Sequence, residues 1–171
     1  MEEGHVSCNI DEKGLATIEF GHPSSNALPG KILSKLANAI TEISNDPSCK
    51  LILLKSAGNR AFCAGASFDE LSAIKNIEDG KLFFSGFANV INACRTSSKL
   101  IIGRIHGKAV GGGVGIASAV DYAFATEAAS VKLSELAVGI GPFVVGPAVE
   151  RKIGLSAMSQ LAINATAWRS A

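Results

Sequence analysis

The chain has 171 residues, 47% of them hydrophobic and 18% charged, enough for one well-buried core and, on length, for a single domain over residues 1–171. Its 16 basic and 15 acidic residues nearly cancel, so the electrostatic footprint of a nucleic-acid-binding protein is missing. Cys8, Cys49, Cys63 and Cys94 contain no CxxC pair, which argues against a zinc site and against a dense disulfide framework and leaves reduced thiols as the expectation.

The opening MEEGHVSCNI is polar and acidic rather than basic and then apolar. No apolar run approaches the roughly 18 residues of a membrane span, and the expectation is a cytoplasmic protein with no membrane partner. Val6, Cys8 and Ile10 alternate with polar residues, Asp11–Gly14 carries turn chemistry and Leu15–Phe20 is a second apolar run, which together predict a β-hairpin. Pro29 precedes Leu33, Leu36, Ala37, Ile40 and Ile43, whose spacing predicts a helix that ends at Asn45-Asp46-Pro47.

Leu51–Leu54 and Leu100–Ile105 are continuous apolar runs, read as parallel strands covered on both faces. Between them come a Gly/Ala-rich loop over Ala57–Ala66 and helical periodicity through Phe68, Leu71 and Ile74 and again from Leu82 to Cys94. Strand, helix, strand implies a parallel crossover. After His106-Gly107, the triplet Gly111-Gly112-Gly113 leads into Val114–Val120, read as a tightly packed buried helix. Short strands are expected at Tyr122–Ala125 and Ser130–Leu133, then a Gly/Pro-rich passage over Gly139–Pro147 and helical material broken at Gly154.

Three segments bear on chemistry: Ala61-Phe62-Cys63-Ala64-Gly65-Ala66-Ser67, Gly107-Lys108-Ala109-Val110-Gly111-Gly112-Gly113, and Glu135-Leu136-Ala137-Val138-Gly139-Ile140-Gly141-Pro142. Alone, a triple glycine is ordinarily a turn or a close helix contact, and Glu135 an ordinary carboxylate paired with Lys132 or Arg151. In this order, and together with Asn26-Ala27-Leu28, they resemble four motifs of the crotonase (enoyl-CoA hydratase/isomerase) family: an "AFxAGAD" loop, a "GxAxGGG" turn, an "E-x-x-x-G-x-x-P" segment and an "NAL" loop. The resemblance covers almost the whole chain. It implies an α/β crotonase-like spiral core of repeated ββα units with flanking helices, and an enzyme, lyase or isomerase, that acts on acyl-CoA thioesters.

Removing a proton beside a thioester carbonyl produces an enolate, whose oxygen needs fixed donors in a dry pocket. The resemblance implies that the amides of Ala66 and Gly112 are those donors and that Glu135 carries the proton. It also implies that Ala27, Ala64, Ala66 and Gly112 contact the coenzyme A part of the substrate. Coenzyme A enters only as part of the thioester, and no permanent cofactor or metal is expected.

Three departures matter. Family hydratases that use two glutamates place the first where this chain has Gly115, so a single Glu135 favours 3-enoyl to 2-enoyl isomerisation; hydration of a 2-enoyl thioester, and a catalytically reduced acyl-CoA-binding or assembly subunit, remain open. Lysines that contact the coenzyme phosphates in the family are replaced by Pro23-Ser24-Ser25 and by Asp69. Residues Ala165–Ala171 stop where the family continues into further helices, so the resemblance implies a missing C-terminal helical part, exposed apolar surface on this piece, and a homotrimer or dimer of trimers for the intact protein. His22 and His106 match no catalytic position; His106 is expected to satisfy a loop backbone group, and Asp121 to cap nearby N–H groups.

Overall fold

The structure, a computed structural model, describes residues 4–170; Met1–Glu3 of the polar opening and the final Ala171 lie outside the described residues. Strands β1 (His5–Ile10) and β2 (Leu15–Gly21) form the antiparallel hairpin. Its turn is held by Asp11, whose Oδ1 accepts the N–H of Lys13 and of Leu15, each at 2.9 Å. After the two-residue β3 (Ala27–Leu28), α1 (Gly30–Asn45) starts behind Pro29, a residue whose missing N–H costs nothing at a helix start. Ile32, Leu33, Leu36, Ala37 and Ile40 bury its apolar stripe.

From here the chain repeats one pattern. In the first unit β4 (Leu51–Ser56) is followed by β5 (Ala61–Cys63), β6 (Gly65–Ala66), α2 (Phe68–Ser72) and the long α3 (Ile77–Thr96). The second unit comprises β7 (Leu100–Ile105), β8 (Lys108–Val110) and α4 (Gly112–Ala119). The third comprises β9 (Tyr122–Ala125), β10 (Ser130–Lys132), a 3₁₀ turn (Leu136–Val138), α5 (Gly146–Ile153) and α6 (Leu155–Ile163), before β11 (Arg169–Ser170).

Each unit gives its first strand to a five-stranded sheet ordered β1-β2-β4-β7-β9 and its second to a four-stranded sheet ordered β11-β10-β8-β5. Within both sheets the unit strands run parallel, and β3 pairs separately with β6. The consequence is that the ends of β6, β8 and β10 converge at the start of α4.

Two expectations need correction. Neither Leu51–Leu54 nor Leu100–Ile105 is covered equally on both faces: Ile52 and Leu54 are fully buried in the cluster that includes Leu33, Leu36 and Ile40, while Leu51 and Leu53 are half-buried, and Leu100 and Arg104 are exposed. Period-two burial persists because that core closes one face of the sheet more completely than the other. The passage Ala57–Ala66 is not simply a loop, since it contributes β5 and β6 to different sheets. Runs of two and three residues are too short to show an alternation pattern. Phe62 in β5 nevertheless anchors them, edge-on to Phe20 of β2 with ring centroids 5.4 Å apart.

Candidate active site

The segments that end at Ala66 and Gly112 are brought side by side by two glycines in conformations other residues seldom adopt. Gly65 has φ +92° and Gly111 φ +52°, and each immediately precedes one of the sequence-selected backbone donors. A Cβ placed on Gly65 would lie 3.0 Å from the Val110 carbonyl oxygen and 3.9 Å from the Gly112 nitrogen, so the segments touch. Gly112 is the first residue of α4, where an N–H has no acceptor within the helix.

The rest of the glycine run lets α4 sit deep. A side chain on Gly112 would enter the Phe87 ring, and a Cβ on Gly113 would stand 2.5 Å from the Cys63 carbonyl oxygen. Cys63 thus packs behind the helix, where burial pushes its thiol up to about 12 and leaves it protonated. At Gly115, a Cβ would be 2.6 Å from Val145 Cγ1 and 3.1 Å from Ile91 Cδ1. The position of the family's other glutamate is therefore occupied by aliphatic side chains.

Glu135 stands at the start of the 3₁₀ turn that follows β10. Its Oε1 is 3.3 Å from where a Gly111 Cβ would be, and its buried Oε2 has no hydrogen-bond partner among the described residues. Burial raises its carboxyl above the ordinary 4.5, because a charged carboxylate loses hydration there. Among the described residues Glu135 makes no ion pair; Lys132 instead places its Nζ 4.7 Å from the centroid of the Trp168 ring.

Ala64, Ala66, Gly112 and Glu135 line one cavity of ≈ 240 Å³. Apolar side chains dominate the rest of its lining, among them Phe83, Phe84 and Phe87 of α3 together with Val144 and Val145. Among the described residues only Ser134 and Glu135 bring polar side chains to the lining. Ala27 stands apart from the cavity, paired with Gly65 in the β3–β6 ladder, and the Ala64 N–H is already committed to the Asn26 carbonyl at 3.2 Å.

Asn26 is the residue whose structural part the sequence reading missed. Buried at φ +59°, it donates from Nδ2 to the Ala57 and Ala61 carbonyls at 2.9 Å each and accepts the His22 N–H at 2.8 Å. An amide can make all of these bonds at once, and the Asn before Ala27-Leu28 was the only mark the sequence carried. The α3 phenylalanines were also missed, although their three- and four-residue spacing places Phe83, Phe84 and Phe87 on adjoining parts of one face.

His106 behaves differently from expectation. Both its ring nitrogens are buried without a partner, so the side chain satisfies no backbone group among the described residues; its carbonyl accepts the Thr126 hydroxyl instead. Burial is the main cause that lowers its pKa, with Arg104 adding to it. It does not line the cavity that holds Glu135. Asp121 does bond backbone, but across the sheet: Oδ2 accepts the Ile101 N–H at 2.8 Å and its own N–H returns to the Ile101 carbonyl at 3.0 Å. Among the described residues no helix is long and apolar enough to cross a membrane.

Comparison with known proteins gives a consistent assignment. The family described as Enoyl-CoA hydratase/isomerase matches residues 11–171. A Bacillus subtilis protein named "Probable enoyl-CoA hydratase" is 33% identical over 141 residues, 82% of this chain and 54% of that protein. The human mitochondrial 3-hydroxyisobutyryl-CoA hydrolase is 30% identical over 153 residues, 85% of this chain and 40% of that protein. The crystal structure of an enoyl-CoA hydratase from Mycobacterium smegmatis superposes with a TM-score of 0.90 at 28% identity, covering 97% of this chain and 64% of that one. The chain spans about half the length of the curated relatives it matches.

Proposed function

The chain belongs to the enoyl-CoA hydratase/isomerase family, and from that premise we propose that it processes acyl-CoA thioesters through an enolate, with Ala66 and Gly112 donating N–H bonds to the thioester oxygen and Glu135 carrying the proton. The observation that supports this reading is the shared lining of one apolar cavity by both donor residues and a carboxyl group with no ionic partner among the described residues. In such a setting a developing oxyanion is stabilised by donors that need no reorganisation, and each is worth about 2.7–4 kcal/mol of transition-state free energy. The helix start at Gly112 adds a favourable dipole.

Isomerisation of a 3-enoyl to a 2-enoyl thioester is the reaction a single carboxylate suits best. Glu135 takes a proton from C2, the electrons pass onto the thioester oxygen, and the same carboxyl returns the proton to C4 as the conjugated double bond forms. The closed space at Gly115 supports it, because a second acid has no room there. Coenzyme A belongs to the substrate, and the backbone around Ala27 and Ala64 is where its nucleotide would bond. Hydration of a 2-enoyl thioester is the second reading, favoured by the similarity to a protein named as an enoyl-CoA hydratase. Assembly as a homotrimer or dimer of trimers is the accompanying proposal for the intact protein.

The test is Glu135→Gln. Turnover of a 3-enoyl-CoA should fall about a hundredfold to ten-thousandfold, the usual contribution of a positioned acid–base group, while the Kd for a saturated acyl-CoA stays the same. Because the base must be ionised and burial raises its carboxyl, kcat should climb with pH through a limb above 4.5, and the variant should lose that limb. A variant that keeps its turnover refutes Glu135 as the proton carrier. Any turnover that depends on Glu135 also disposes of a purely binding or assembly role.

A further inference from the structure

We propose that Ser134 holds a water molecule against Glu135, so that the same cavity also adds water across the double bond of a 2-enoyl thioester; the proposal rests on the enolate reading above. No side chain from position 115 can reach the reacting atoms while Val145 and Ile91 fill the space beyond its Cα. Whatever orients a water here must come from the groups that do line the cavity, and only Ser134 and Glu135 carry polar side-chain atoms there.

Their placement fits that task. Ser134 Oγ lies 3.8 Å, and Glu135 Oε1 3.3 Å, from the same point, the position of a Cβ on Gly111. A water making two hydrogen bonds of ~2.8 Å joins oxygens up to about 5.6 Å apart, and the space around the Gly111 Cβ position, which both side chains border, is where Ser134 Oγ and Glu135 Oε1 would share one. The absence of a Gly111 side chain leaves that point open, and Gly111 is also the residue that turns the chain toward the Gly112 donor. Ser134 Oγ has no hydrogen-bond partner among the described residues, which leaves its donor and its lone pairs for a ligand.

The step balances with one carboxylate. The bound solvent water gives a proton to ionised Glu135 as its oxygen bonds to C3, and the double-bond electrons move onto the thioester oxygen between the two amides. The protonated Glu135 then delivers that proton to C2 as the enolate collapses. H and OH have been added, Glu135 is ionised again, and Ser134, which accepts the water's second proton as a hydrogen bond, is unchanged.

The experiment measures both reactions on the full chain, with crotonyl-CoA for hydration and a 3-enoyl-CoA for isomerisation, and reports their ratio. An unfolded fraction lowers both rates alike, so the ratio is insensitive to a folding defect. Ser134→Ala should lower the hydration-to-isomerisation ratio about tenfold, the factor expected for losing one hydrogen bond in a transition state. Ser134→Thr, which keeps the hydroxyl, should restore it. An unchanged ratio in Ser134→Ala, or no hydration by the unsubstituted protein, overturns the role of Ser134. Since the enolate reading is tested separately by loss of turnover in Glu135→Gln, the two failures are distinguishable.

Discussion

Helices α4 and α6 are built from similar stock and end in opposite surroundings. The α4 sequence GGVGIASA buries Gly113, Val114, Gly115, Ile116, Ser118 and Ala119, whereas α6, LSAMSQLAI, buries Leu161 alone and leaves Leu155 66% and Ile163 78% exposed. Apolarity does not separate them. What separates them is the missing Cβ atoms at 112, 113 and 115, which let the α4 backbone come against Phe87, Cys63 and Val145. Glycine in a helix costs about 0.5–1 kcal/mol against alanine in lost chain entropy, so such a run persists where close approach returns more than it loses. In α4 the return is close packing, and the same approach sets the Gly112 nitrogen beside Gly65-Ala66.

The largest expected effect tests that explanation directly. Gly113→Ala puts a methyl carbon 2.5 Å from the Cys63 carbonyl oxygen, a backbone atom of β5 that cannot rotate away. Overpacking of this kind should cost about 3 kcal/mol, read from urea unfolding, despite the better helix propensity of alanine. A loss below ~0.5 kcal/mol, the range of an indifferent surface change, would break the contrast between the helices.

Gly115→Glu is next in size and asks whether the family's second acid can simply be put back. The obstructing atoms belong to the side chains of Val145 and Ile91, which can give way more easily than backbone, so about 1–3 kcal/mol of destabilisation is expected. The new carboxylate should not raise hydration while Val145 blocks its path. Combining it with Val145→Ala should recover stability and only then open a second acid–base route. A rise in hydration from Gly115→Glu alone would show that the space is less closed than the packing indicates.

Much of this arrangement was readable in advance, for specific reasons. The hairpin, α1, the crossover from β4 to β7 and the buried glycine-led helix follow from period and turn chemistry, which are local properties. Glu135, Ala64, Ala66 and Gly112 were picked out by motif resemblance, and they do meet at one cavity. The strands β3, β5, β6 and β8 escaped because two or three residues carry no periodic signal; the ladders that define them join Ala27 to Gly65 and Ala61 to Lys108. Ser134 escaped because a serine has no distinguishing mark until its neighbours are known. His106 went the other way: a polar ring beside a buried strand was expected to find a backbone partner, and its nitrogens find none among the described residues.

The smallest predicted effect lies on α6 and is informative because it is small. Ile163 already faces water, so Ile163→Ser forfeits almost no buried area and should change monomer stability by less than ~0.5 kcal/mol. Leu155 and Ile163 stand near opposite ends of the helix, and with Phe143, 86% exposed, they add to the apolar surface of this part of the molecule. If copies of the chain associate through that surface, the same substitution acts on the associated state: the melting temperature of the unsubstituted protein should rise with protein concentration and that of Ile163→Ser should not. A destabilisation of ~2 kcal/mol that is independent of concentration would mean that Ile163 is buried within the chain's own fold in solution. The two short helices would then differ in degree of packing rather than in kind.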